Sequence, residues 1–180
     1  MIKNKEDYRR YMNADLEKNK FKNTFFSYLT NDIWRFLRTL RRYEYVINTK
    51  KGVLWAPIKL YMKYRFKKIS KKLGYSIPPN VFEEGLMLPH YGNIVINHNC
   101  KIGKNCRVHV GVNIGASYHM SQAVPKIGNN CYIAPGAKLY GDIVIQDNTL
   151  VGANAVVNKS CFEKNATLVG IPAKNIKKKL

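Results

Sequence analysis

The chain has 180 residues, 46% of them hydrophobic and 23% charged, which excludes wholesale disorder and leaves room for one domain with a modest appendage. It carries 31 Lys and Arg against 11 Asp and Glu, a net charge of +20, and residues 1–75 hold 20 of the basic groups with 6 acids. Such an excess points to an anionic partner: nucleic acid, a lipid surface or a phosphorylated ligand. No apolar run approaches the roughly 18 to 20 residues of a membrane span. The first twenty residues are polar and lack the apolar core of a secretory signal. The expectation is a cytoplasmic protein.

Residues 1–73 read as a basic helical segment. Asn31 and Asp32 can cap a helix over residues 32–48, in which Ile33, Leu37, Leu40 and Ile47 roughly share a face. A second helix is expected over residues 57–73, with proline tolerated in its first turn. Its apolar stripe is Ile58, Met62, Phe66, Ile69 and Leu73; Lys59, Lys63, Lys67, Lys68, Lys71 and Lys72 lie mostly off it. Two readings compete for this helix. It packs on the rest of the chain with a solvated basic face, or it lies as a basic amphipathic helix against anionic lipid at the inner face of a membrane. Nucleic-acid binding is not expected, because no recognition-helix motif or aromatic-rich binding sheet is present. Gly74 and the run Ser76, Ile77, Pro78, Pro79 stop the helix and begin an extended chain.

From there a six-residue period takes over. Stepping by six from Ile96 meets Ile102, Val108 and Ile114; after an interruption the register resumes at Ile127 and runs through Ile133, Leu139, Ile145, Val151 and Val157. Four residues after these aliphatics come compact side chains: Cys100, Cys106, Val112, Cys131, Ala137, Ile143, Thr149, Ala155 and Cys161. A period of six fits neither a helix nor a simple strand. It fits a solenoid with flat faces of about six residues, aliphatics inward, and Gly, Asn or Asp at the corners. The repeat spans residues 77–157. The step from Ile114 to Ile127 is thirteen residues where six is expected, so seven extra residues project from a corner within residues 116–126. The same register assigns all four cysteines to the small inward position, as buried apolar residues. No CxxC pair or His/Cys cluster with zinc spacing occurs, and no metal site is expected.

The chemistry-bearing residues centre on the histidines. His90 falls where the register wants an aliphatic and is not expected to point simply into the core. A near-neutral imidazole suits proton abstraction from a hydroxyl.

These residues resemble the hexapeptide-repeat acyltransferases, whose domain is a left-handed parallel β-helix. The run from Gly85 to Ile96 resembles the serine acetyltransferase segment in which a His follows G-[LI]-M-L-x and precedes x-G-x-[IV]-V. Pro125, Lys126, Ile127 and Gly128 match that family's P-K-I segment. Residues 141–145 and 151–157 match its late coils, and residues 169–174 (VGIPAK) its coenzyme A-proximal tail. The resemblance covers residues 74–176. It implies acetyl-CoA as co-substrate with no permanently bound cofactor, a homotrimer with the site between two subunits, and His90 as general base. Tyr91, Asn93, His109 and His119 are candidates for the acceptor side of the site. Gly115, Ala116, Lys126, Ala134, Gly152 and Lys174 are candidates for binding the cofactor-like donor. Backbone amides near the corner loop would stabilise the oxyanion.

Three departures from the family pattern stand out. Val124 and Ala123 occupy the positions of a second His and its preceding Arg. Pro89 replaces an acid that contacts serine. Tyr75 replaces the acid that orients the catalytic His. These losses led to the expectation that the acceptor is a sugar hydroxyl of a surface polysaccharide, in capsule or lipopolysaccharide synthesis. Serine O-acetylation and a non-catalytic solenoid scaffold are the competing readings. The organisation expected is a basic helical segment over 1–73, a left-handed β-helix acyltransferase domain over 74–176, and a basic tail over 177–180.

Overall fold

In the computed structural model, which describes residues 1–118 and 122–176, the N-terminal part forms four helices: α1 (Lys5–Lys18), α2 (Phe25–Thr30), α3 (Asp32–Thr49) and α4 (Ala56–Leu73). A single 3₁₀ turn, Val53–Trp55, precedes α4. The two expected helices are present, and each begins as the sequence suggests. The Asn31 side chain accepts from the Trp34 amide at 2.9 Å, satisfying an orphan donor of α3. Pro57 sits in the first turn of α4, and Gly74 closes it with a left-handed φ of 76°. Helices α1 and α2 were not anticipated: α1 has little apolar periodicity and α2 is six residues long.

The solenoid follows. Its strands are β1 (Tyr75–Ser76), β2 (Ile94–Ile96), β3 (Lys101–Ile102), β4 (Arg107–Val108), β5 (Asn113–Gly115), β6 (Lys126–Ile127), β7 (Tyr132–Ile133), β8 (Lys138–Tyr140), β9 (Val144–Ile145), β10 (Leu150–Val151), β11 (Val156–Val157), β12 (Thr167–Gly170) and β13 (Ala173–Asn175). They stack into three sheets, the faces of a left-handed parallel β-helix. The first face is β1-β2-β5-β8-β11, the second β3-β6-β9, and the third β4-β7-β10-β12, with β13 added antiparallel as its edge.

The register is legible in the pairing. Ile96 faces Ile114, Ile127 faces Ile145 and Ile133 faces Val151, each eighteen residues apart. Across the interruption the step becomes twenty-five: Ile102 faces Ile127 and Ile114 faces Leu139. The seven surplus residues therefore leave the coil between Gly115 and Lys126, as expected. The corners need backbone with positive φ. Asn105, Asn130, Asn148 and Asn165 stack in one corner column at φ between 55° and 59°. Asparagine is among the few L-residues that adopt this conformation at low cost.

All ten register aliphatics are buried, as are Cys100, Cys106 and Cys131. Cys161 departs from the expectation. It is only half-buried, because the last coil shortens and Ile145 bridges Cys161 at sixteen residues.

Helices and solenoid share one core. Trp34, Phe36, Leu37, Leu40, Phe66, Ile69 and Leu73 join the cluster formed by the solenoid aliphatics. At their junction lies a buried ionic network. Arg41 Nε donates to Asp15 Oδ2 at 2.7 Å and Arg41 Nη1 to Glu44 Oε2 at 2.9 Å. The guanidinium also donates to the carbonyls of Phe82 and Glu83 at 3.0 and 2.8 Å. Asp15 Oδ1 accepts the amides of Gly85 and Leu86, and Glu44 Oε1 accepts that of Asn80. Desolvation pushes the Asp15 carboxyl up, against the pull of Arg41. One triad from α1 and α3 thus pins residues 80–86, the stretch that leads into His90.

The expected stripe of α4 is only partly used. Phe66, Ile69 and Leu73 are buried, but Ile58 is exposed, because α4 runs past the solenoid at its N-terminal end.

Candidate active site

The first coil is longer than the regular eighteen residues. Met87 bridges Arg107 and Phe82 bridges Ile102, twenty residues apart rather than eighteen. Leu88 therefore takes the inward place, fully buried, that the six-step register would give to His90. The two surplus residues carry His90 out to the corner between the third and first faces, where it is exposed.

Two neighbours define its setting. The Tyr75 hydroxyl donates to the His90 carbonyl at 2.7 Å, fixing the backbone that carries the ring. Tyr75 is itself buried, edge-on to Phe36 at 4.9 Å between ring centroids, and burial pushes its phenol up. His109 lies at the same corner on the next coil, its ring 6.5 Å from that of His90 between centroids. Only 6% of His109 is exposed; it packs on Tyr132 at 5.0 Å, and its Nε2 is buried with no partner among the described residues. Burial lowers the His109 pKa from its ordinary value, and the nearby charges of Arg107 and His90 act in the same direction. Arg107 stacks its guanidinium over the Tyr132 ring at 5.3 Å. Among the described residues no side chain hydrogen-bonds the His90 ring. Tyr75, marked in the sequence only as a missing acid, is a residue the sequence reading did not credit with any role.

The other candidates scatter. Tyr91 and Asn93 are exposed beside His90, and the Asn93 carbonyl accepts from the Gly111 amide at 2.6 Å. His119 lies outside the described residues, as does the tail 177–180. Gly115 and Ala116 lie at the far end of the first face, where the corner loop departs. They share a face with His90 but occupy its opposite edge, five residues along from Val110, which stacks on Gly92 beside His90.

Ala134 and Gly152, expected to bind the donor, lie in one corner column. They stack below His109, and their amides donate to Val151 and Leu168 carbonyls of the next coil at 3.0 and 2.8 Å. The Ala134 methyl is buried, and a Cβ on Gly152 would meet Val169 at 2.8 Å. Parallel coil pairing takes up both amide donors. Lys126 stands on the second face beside Lys101, away from the His90 corner. Lys174 is exposed on β13, against Val169.

Residues 125–159 match the family model for the bacterial transferase hexapeptide (six repeats). The three-faced coil that contains this match is a left-handed parallel β-helix, the architecture expected of such repeats. The chain's relatives are more particular. It is 39% identical over 93 residues to a serine acetyltransferase of Staphylococcus xylosus, covering 51% of this chain and 43% of that protein. A Staphylococcus aureus serine acetyltransferase matches to the same extent. Among solved structures, soybean serine acetyltransferase complexed with serine superposes with a TM-score of 0.75 at 23% identity, covering 95% of this chain and 70% of that one. Brucella abortus serine acetyltransferase in complex with coenzyme A superposes at 0.72 and 23%, covering 95% and 66%. These structures share the fold. The chain spans less than half the length of the curated relatives it matches.

The relatives overturn the polysaccharide reading of the acceptor. That reading rested on three missing groups, and a missing group supplies no recognition for a sugar. The structure shows how the His90 segment is held without the acid: Tyr75 holds the His90 backbone and Asp15 holds the amides just upstream.

Proposed function

We propose that this chain is an acetyl-CoA-dependent O-acetyltransferase acting on L-serine, with His90 as general base. The observation that carries the proposal is the lengthened first coil, which expels His90 from the core register and presents it at a braced, exposed corner. The 39% identity to serine acetyltransferases supports the acceptor and the donor. His90 accepts the proton of the serine hydroxyl as the oxygen attacks the thioester carbonyl. The oxyanion collapses, and the coenzyme A thiolate leaves and takes up a proton. A general base of this kind contributes about 10² to 10⁴ in rate. His109 lines the floor beside His90 and, held neutral by burial, offers Nε2 as a polar contact for the acceptor or an ordered water.

In this reading residues 74–176 are the transferase unit and residues 1–73 brace its first coil. The corner loop within 116–126 leaves the opposite edge of the first face from His90, so a second copy brings it to the base, as in a homotrimer. Lys174 meets donor phosphates. Thiol release from acetyl-CoA, with L-serine as sole acceptor, tests the proposal. Serine-dependent release that is lost in His90→Ala is expected. Coenzyme A binding without serine-dependent release would overturn serine as the acceptor, and equal release by His90→Ala would overturn the base.

A further inference from the structure

The helical part presents a surface that neither the core nor the candidate site uses. Helix α4 turns Phe66, Ile69, Ser70 and Leu73 inward. At 100° per residue its opposite side carries a second stripe, Leu60, Tyr64, Lys67 and Lys71, and all four are exposed. Tyr61 is exposed beside it. The 3₁₀ turn that leads into α4 ends in a tip of sequence KKGVLW, where Val53 is 87% and Leu54 92% exposed. Lys50 lies over the Trp55 ring at 4.8 Å, so cation and apolar tip are held together. On the neighbouring α2, Phe25, Phe26 and Leu29 are also exposed, and Phe25 shares a cleft with Arg38, Arg42, Met62 and Arg65. Exposed apolar groups on this scale mark an interaction surface.

The charge says what covers it. Residues 20–73 contain fifteen Lys and Arg and only two carboxylates, Asp32 and Glu44. Asp32 is paired with Arg35 and Lys72. Glu44 is buried against Arg41. No unpaired carboxylate in that stretch faces solvent to meet a cation. A second copy of this chain would bring a like-charged surface onto this one. An anionic phospholipid bilayer supplies both complements, phosphates for the lysines and an acyl boundary for the phenylalanines, leucines and tyrosines.

We infer that the surface formed by the Val53–Leu54 tip, α2 and the outer side of α4 docks the protein peripherally on an anionic bilayer. The tip and aromatic residues enter the headgroup boundary while Lys63, Lys67 and Lys71 lie against the phosphates. The inference is independent of the acceptor and of His90.

Co-sedimentation of the full chain with phosphatidylglycerol/phosphatidylcholine vesicles tests it, with pure phosphatidylcholine vesicles as control. Binding to the anionic vesicles alone is expected, weakening as salt is raised. Val53→Asp/Leu54→Asp should abolish it. Lys63→Glu/Lys67→Glu should weaken partitioning at least ~25-fold, at about fivefold per cation removed. Both positions pairs are exposed, so folding and acetyl-CoA hydrolysis or transfer without vesicles should be unchanged. No pelleting with anionic vesicles would overturn the inference, as would equal pelleting of both variants. A concentration-dependent mass in sedimentation that only Val53→Asp/Leu54→Asp disrupts, without vesicle binding, would overturn it in favour of a contact between chains.

Discussion

Replacing Arg41 with methionine keeps most of the buried volume and removes one charge. Asp15 and Glu44 are then left in the core with side chains 0% and 2% exposed. Each retains backbone donors, two for Asp15 and one for Glu44, but neither keeps a counter-charge. The carbonyls of Phe82 and Glu83 also lose a donor. Removing one partner of a buried ion pair costs about 3–5 kcal/mol. For a domain of this size each kcal/mol lowers Tm by about 2–4 °C, so a fall of about 6–20 °C is expected. Thermal unfolding followed by circular dichroism measures it. The triple variant Asp15→Leu/Arg41→Met/Glu44→Leu separates charge from scaffolding. It removes the unpaired charges but orphans the amides of Asn80, Gly85 and Leu86, at about 1–3 kcal/mol each. It should therefore stay destabilised. A Tm within 3 °C of the parent for Arg41→Met would refute the pinning role of this triad, as would full recovery in the triple variant.

Tyr75→Phe removes the donor to the His90 carbonyl at a cost of about 1 kcal/mol in stability; kcat should fall several-fold with little change in the KM for acetyl-CoA, read by steady-state thiol release. His109 should titrate below 6.5 by NMR. Because its folded pKa is depressed, the unfolded chain binds the proton first, so stability is lost as pH falls below about 6.5, and His109→Gln should flatten that dependence in urea melts at pH 5 and 7. Gly136 sits at φ 74° with Asn154 Oδ1 in the space a Cβ would need, so Gly136→Ala should destabilise the coil by at least about 1 kcal/mol, and an unchanged urea midpoint would argue against the corner geometry.

The six-residue period is a local property. Each aliphatic from Ile96 to Val157 buries because its own coil turns it inward, and pairing of identical coils repeats that choice. Six-residue faces and a seven-residue corner insertion were therefore readable from spacing alone, and the match to the hexapeptide repeat covers residues 125–159. The position of His90 was not. Its register place went to Leu88 because of two extra residues between Met87 and Val95, a surplus that appears only once Met87 is paired with Arg107 and Val95 with Asn113. Spacing likewise finds the corner column of Ala134 and Gly152 but not which amides the next coil takes up. Arg41 joins Asp15, 26 positions away, to the carbonyls of Phe82 and Glu83, and the triad's members look like ordinary surface charges in a helix. The outer side of α4 was visible as lysines off a stripe, yet only the tertiary structure decided how short the buried stripe is. The shared core of α3 and the solenoid takes Phe66, Ile69 and Leu73, and leaves Ile58, Leu60 and Tyr64 exposed among the described residues. Periodicity determines which way a side chain faces; only packing determines what stands there to meet it.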